Sequence, residues 1–72
     1  MDDYQILSNE VRRKIIALLP MKRSQLYRQL RGQVYYTVVH YHLEVLIKHG
    51  YVTEEDDMLK LTSKGARLRD LL

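Results

Sequence analysis

Val39-His40-Tyr41-His42-Leu43-Glu44-Val45-Leu46-Ile47-Lys48-His49-Gly50-Tyr51-Val52 is the stretch on which the fold turns. Val39, Leu43, Leu46 and Ile47 recur three, four and seven residues apart, the period of a helix with one buried side. Gly50 closes the run, because glycine accepts the left-handed backbone on which helices end. Upstream, Gln33 and Val34 read as a turn, so this helix covers about 34–49.

Before that turn, Ser24 is a cap candidate, Leu26 and Leu30 stand four apart, and Gly32 supplies a left-handed stop. A short helix over about 24–31 follows, so 24–49 reads as helix, glycine-containing turn, helix. Earlier still, Leu7, Val11, Ile15 and Leu18 repeat at helical spacing, with Ile16 and Leu19 widening the stripe. Ser8 caps and Pro20 closes a first helix over about 9–19, with Asp2 and Asp3 capping a preceding short turn or an extension of that helix.

Beyond Gly50 the period changes to two. Tyr51-Val52-Thr53 and Met58-Leu59-Lys60-Leu61-Thr62 are strand-like, and the acidic Glu54-Glu55-Asp56-Asp57 loop joins them into a hairpin. Thr62 or Ser63 caps a last helix over 63–72, with Leu68, Leu71 and Leu72 on one side. A lone hairpin is barely stable, so this one must pack on the helices. The expected class is mainly α with a small β-hairpin, in the order helix, helix, helix, hairpin, helix, as one domain over 1–72.

At 72 residues a single core is marginal, and with no cysteine neither disulfides nor thiolate-bound zinc can reinforce it. A partner subunit is the remaining common remedy. The 46% hydrophobic share suits a globular fold, and no apolar run approaches the roughly 20 residues of a membrane span. The acidic start Met1-Asp2-Asp3-Tyr4 is unlike a signal peptide, so a cytoplasmic location is expected. Of the net charge of +3, the excess lies in 21–52, where Lys22, Arg23, Arg28, Arg31 and Lys48 face Glu44 alone. Such a local field favours a polyanionic partner.

Three segments resemble a known family. Leu7 to Leu19 looks like the first helix of ArsR-type regulators, and Val39 to Val52 resembles their recognition helix, with its His-Leu pair and Gly-aliphatic ending. Leu61-Thr62-Ser63-Lys64-Gly65 is similar to the step from wing to final helix in ArsR- and MarR-type repressors. The resemblance implies a winged helix-turn-helix domain, with helix-turn-helix about 24–49 and wing about 51–62. It further implies a homodimeric, sequence-specific double-stranded DNA-binding transcriptional regulator, a repressor without catalysis. This chain departs from the pattern in a longer turn before the recognition helix, an acidic wing tip and the absence of metal-sensing cysteines.

With Val39, Leu43 and Leu46 turned inward, a helical wheel places Tyr36, Thr37, His40, Tyr41 and Glu44 outward. Tyr36, Thr37, His40 and Tyr41 are the expected base contacts. Lys22, Arg23, Arg28, Arg31, Tyr35 and Lys60 are the expected phosphate contacts, which position rather than specify. No arginine lies on the outward face, so the common arginine–guanine contact is missing there. Tyr27 and Tyr51 read as core. Tyr4, Ile6, Leu7, Leu68, Leu71 and Leu72 exceed what three helices cover and are the expected dimer interface.

Arg12, Arg13, Arg67 and Arg69 read as solvated faces or intersubunit ion pairs. His40 and His42 point about 200° apart and cannot share an ion. His42 and His49 share a face but lack a third ligand, so no metal is expected. His42 is expected to pack beneath the helix with a backbone partner. No phosphate loop or nucleophile constellation appears, so neither enzyme activity nor a cofactor is expected. The competing reading is a winged-helix protein–protein interaction module, suggested by the acidic wing and the clustered tyrosines.

Overall fold

The helix at the centre of the molecule, α4 (Tyr36–Lys48), buries Val39, Leu43 and Leu46, the expected inward stripe. The computed structural model describes all 72 residues. Gly50 has φ +82. Its N–H reaches the Ile47 carbonyl at 3.1 Å, and the Tyr51 N–H reaches that of Leu46 at 2.9 Å. Those paired bonds to the last turn are a Schellman stop, which needs a residue free to adopt positive φ.

Around α4 stand α1 (Asp3–Leu7), α2 (Glu10–Leu18), α3 (Arg23–Leu30) and α5 (Ser63–Arg69). Three strands complete the chain: β1 (Met21–Lys22), β2 (Val52–Glu55) and β3 (Met58–Leu61), antiparallel in the order β1-β3-β2. The molecule is thus mainly helical with a small sheet. No helix is long and apolar enough to cross a membrane.

Several local expectations are corrected. Asn9, not Ser8, caps α2, its side chain accepting from the Arg12 N–H. Ser24 lies inside α3, where Gln25 instead reaches back to accept from the Lys22 N–H at 2.9 Å. Gly32 (φ +86) does supply the expected left-handed stop, as the third residue of a turn closed by the Gln33 N–H on the Leu30 carbonyl at 3.0 Å. Strand β2 extends to Glu55, which pairs with Met58, so the hairpin loop is Asp56-Asp57 alone. Both have positive φ, 49 and 70, the tight turn that Asp tolerates and whose twist matches the strands. Thr62 caps α5, and α5 ends at Arg69, leaving Leu71 and Leu72 beyond it and exposed.

The core joins Ile6, Ile15, Ile16, Leu26, Leu43, Leu46, Tyr51, Leu59 and Leu68, with other apolar side chains around them. Ile6 and Leu68, expected at a dimer interface, are wholly enclosed here. The short α1 lies over the three-helix core and completes it, so neither residue has surface left for a partner. Gly65 shows how tightly α5 is set: a Cβ there would run into the Tyr51 carbonyl oxygen.

Arg12, far from being solvated, is buried. Its Nε donates to the Ile6 carbonyl at 2.9 Å and its Nη2 to the Gln5 carbonyl at 2.8 Å. Arg13 donates to the Leu7 carbonyl at 2.6 Å. The last carbonyls of a helix lack partners within it and carry its negative pole, so two guanidiniums are a fitting seal. Arg67 pairs within the chain, with Asp3 at 3.1 Å. The Tyr51 hydroxyl also donates to Asp3, at 2.6 Å. These two bonds hold the Asp3 carboxyl below the usual carboxylate range, and the Tyr51 phenol, desolvated and tied to an anion, is pushed up to about 12.

Candidate nucleic-acid interface

With one side of α4 sealed in the core, its opposite side carries Tyr36, Thr37, His40, Tyr41 and Glu44, all exposed. Tyr35, at the N-cap, is 84% exposed, Tyr36 69% and Tyr41 62%. Large aromatic rings left in water at one end of one helix are uncommon in a monomer and mark a surface that meets something.

The first turn of α4, the end of α3 and the turn between them enclose an open groove of about 650 Å³. Ser24, Tyr27, Arg28, Arg31, Tyr35 and Tyr36 line it. Arg28 and Arg31 make no ion pair and no side-chain hydrogen bond, so their charge is free for an anion. The N-terminus of α4 opens on the same groove, and no side chain caps it.

The six residues expected at phosphates divide into three groups. Arg28, Arg31 and Tyr35 gather at the groove. Lys22 and Lys60 lie elsewhere: cross-strand pairing puts Lys22 opposite Met58 and Lys60 opposite Thr53, on the outer face of the sheet. Arg23 is already occupied. Its Nη2 and Nε bind the two Glu54 carboxylate oxygens at 2.7 and 3.0 Å, and Nη2 also lies 3.5 Å from Glu44. Two carboxylates neutralise this guanidinium, so its charge is engaged within the chain. Glu54 in turn is held below its ordinary range by the arginine.

Glu54 reaches Arg23 because of strand alternation. It pairs with Leu59, so it shares the inner face of the sheet with Val52, Leu59 and Leu61. Glu54 itself stays exposed, and Arg23 at the start of α3 stands on that side to pair with it. The period of two from Val52 to Glu54 is the sequence signal that puts this residue on the Val52 side of the strand. The rest of the acidic tip, Glu55, Asp56 and Asp57, is exposed and unpaired.

Tyr27, expected as core, is half-buried and serves the surface as well. Its hydroxyl accepts from Arg23 Nη1 at 3.3 Å and lies 3.2 Å from His40 Nδ1. Its ring meets Tyr36 edge to face at 5.8 Å. A continuous chain therefore runs from Glu54 through Arg23 and Tyr27 to His40 and Tyr36, joining hairpin, α3 and α4.

His42, half-buried on the flank of α4, has a side-chain partner in place of the expected backbone one. Arg12 Nη1 donates to its Nδ1 at 3.1 Å. Guanidinium has no lone pair, so Nδ1 must accept and the ring is neutral with its proton on Nε2. Burial and the Arg12 charge together hold the His42 pKa below its ordinary value. No three His, Asp or Glu side chains converge as a metal site. Of the expected interface residues, Tyr4, Leu71 and Leu72 are exposed and Leu7 is half-buried against the core.

Comparison with protein-family models, with curated proteins and with solved structures finds no match for this chain.

Proposed function

We propose that this chain is a winged helix-turn-helix regulator of ArsR-like type that binds double-stranded DNA as a homodimer and represses transcription. Helix α4 is the recognition helix and β2–β3 the wing. The observation that carries this reading is the two-sided character of α4. One side is core, while the other presents hydrogen-bonding side chains with two unpaired arginines at its N-terminal end. A rod of this kind suits a major groove, with Arg28, Arg31 and Tyr35 on the flanking phosphates. Tyr36, Thr37, His40 and Tyr41 meet base edges, and Arg23 is left out of the phosphate set. Tyr4, Leu7, Leu71 and Leu72 supply the apolar dimer contact, and two-fold symmetry spaces the recognition helices by about 34 Å. The reading involves no catalysis, metal or cofactor.

Electrophoretic retardation of duplex DNA, repeated over a salt series, tests it. Two charged phosphate contacts per subunit, Arg28 and Arg31, give a log–log salt slope near −3.6 for the dimer, taking about −0.9 per contact, while the neutral Tyr35 adds none. A folded dimer that retards no duplex at low salt would overturn the proposal in favour of a protein-interaction module. The neutralised Arg23 and the acidic tip favour that second reading, because both lower the positive field beside a tyrosine-rich surface.

A further inference from the structure

We propose that Tyr27 holds the His40 imidazole with its proton on Nε2, so that α4 offers a fixed hydrogen-bond donor to an acceptor on a base edge. The inference rests on the reading of this face as DNA-binding, and it makes His40 a specificity-determining residue with Tyr27 and Arg23 as positioning residues.

The argument is one of proton placement. Arg23 Nη2 and Nε are taken up by Glu54, which fixes the plane of the guanidinium. Its remaining Nη1 lies 3.3 Å from the Tyr27 hydroxyl. Arginine only donates, so the tyrosine oxygen accepts and its single proton is free to point elsewhere. His40 Nδ1 lies 3.2 Å away and is the other polar partner of that oxygen. Were Nδ1 to carry a proton, it would crowd a second N–H onto an oxygen already polarised by a cation. A hydroxyl that accepts from a cation is also a stronger donor, so the relay reinforces itself. Nδ1 therefore accepts, and the neutral ring carries its proton on Nε2.

Nε2 lies on the far side of the ring from Tyr27 and has no partner within the subunit, and His40 is exposed. The edge contact between Tyr27 and Tyr36 steadies the phenol that sets the ring. In a major groove an N–H donor matches N7 or O6 of guanine, N7 of adenine or O4 of thymine, and is mismatched to the amino groups of cytosine and adenine. A donor of defined direction on an arginine-free face thus gives one position per half-site a preference for an acceptor.

The test has two arms on the full chain. In the first, ring-nitrogen NMR of histidine-labelled protein is recorded at about pH 8.5, where an ordinary imidazole is neutral. His40→Gln identifies the signals. Wild type is expected to show the Nε2–H form, and Tyr27→Phe to move both ring nitrogens towards a tautomer mixture. A wild-type ring protonated on Nδ1, or shifts indifferent to Tyr27→Phe, overturns the relay. In the second arm, duplexes are selected from a random pool. Wild type is expected to favour an acceptor base about three- to tenfold at one position, the worth of a single neutral hydrogen bond. Tyr27→Phe and His40→Ala should flatten that position alone and leave the salt slope intact. Preferences identical in all three proteins overturn the base-reading role. If wild type binds no duplex, the functional reading and the base-reading role fall together, and the NMR arm still decides the relay.

Discussion

His40 and His42 stand two residues apart on α4 and lead different lives. His42 turns towards α1 and α2, where the Arg12 guanidinium donates to it and also seals the end of α1. His40 turns to the open face, where a tyrosine hydroxyl is its neighbour and solvent its surroundings. Both rings are engaged through Nδ1 and both are linked, directly or through one hydroxyl, to an arginine. The difference is enclosure. His42 is half-buried, and its Nδ1 accepts from a buried arginine that also holds two backbone carbonyls, so the contact belongs to stability. His40 is exposed on the open face, so its contact can set how the ring meets another molecule.

The strongest way to break this comparison is Arg12→Met, which keeps the aliphatic stem and removes the guanidinium. It strips partners from the Gln5 and Ile6 carbonyls and from His42. A loss of about 2–4 kcal/mol in urea denaturation is expected, as for other buried charge-assisted bonds. Amide exchange should rise first in α1. A loss under about 0.5 kcal/mol would place Arg12 with ordinary surface cations.

The open side is tested by Arg28→Ala combined with Arg31→Ala. Stability should change by less than about 0.5 kcal/mol. The salt slope of duplex binding should shrink by about 3.6 per dimer, four phosphate contacts at about 0.9 each. An unchanged slope in a salt titration would show that the groove is not where phosphates sit.

A smaller effect follows His42 with pH. Since the folded state holds the His42 pKa below its ordinary value, the unfolded chain takes up the proton first as pH falls. Stability is therefore full above the ordinary pKa of about 6.5 and declines as pH drops through it, until the folded ring also protonates. His49, whose pKa is also lowered, adds a slope of the same sign, so the contrast lies between variants. His42→Asn retains an acceptor near Nδ1 without a titrating group and should flatten the decline in denaturation midpoints between pH 7.5 and 5.5, a window set about one unit either side of the ordinary value.

The smallest expected effect is that of His40→Gln on stability, within about 0.5 kcal/mol by thermal denaturation. A larger loss would mean that His40 supports the fold as His42 does.

Much of the architecture was legible along the chain, and the reasons are local. The inward stripe of α4, the glycine stop at Gly50 and the two short strands each depend on residues within a few positions of one another. The hairpin loop was read two residues too long, because four consecutive acids look like a loop until register shows Glu54 and Glu55 inside β2. Strand β1, only Met21 and Lys22, is too short to show any period and exists because β3 lies beside it. Ile6 and Leu68 looked surplus because a count of three helices ignores the cover that α1 provides.

By itself the sequence determined the helix order, the inward stripe of α4, the hairpin and the outward position of Tyr36, Thr37, His40 and Tyr41, because hydrophobic period and backbone preference act over a few residues. Only the tertiary structure decided which long charged side chains are spent on the protein itself. Arg12 meets His42, 30 residues away, and Arg23 meets Glu54, 31 residues away. A flexible cation has many partners within reach of its stem, and the one it takes depends on which elements pack together. Arg28 and Arg31 remain free for the same reason: no carboxylate is packed within their reach.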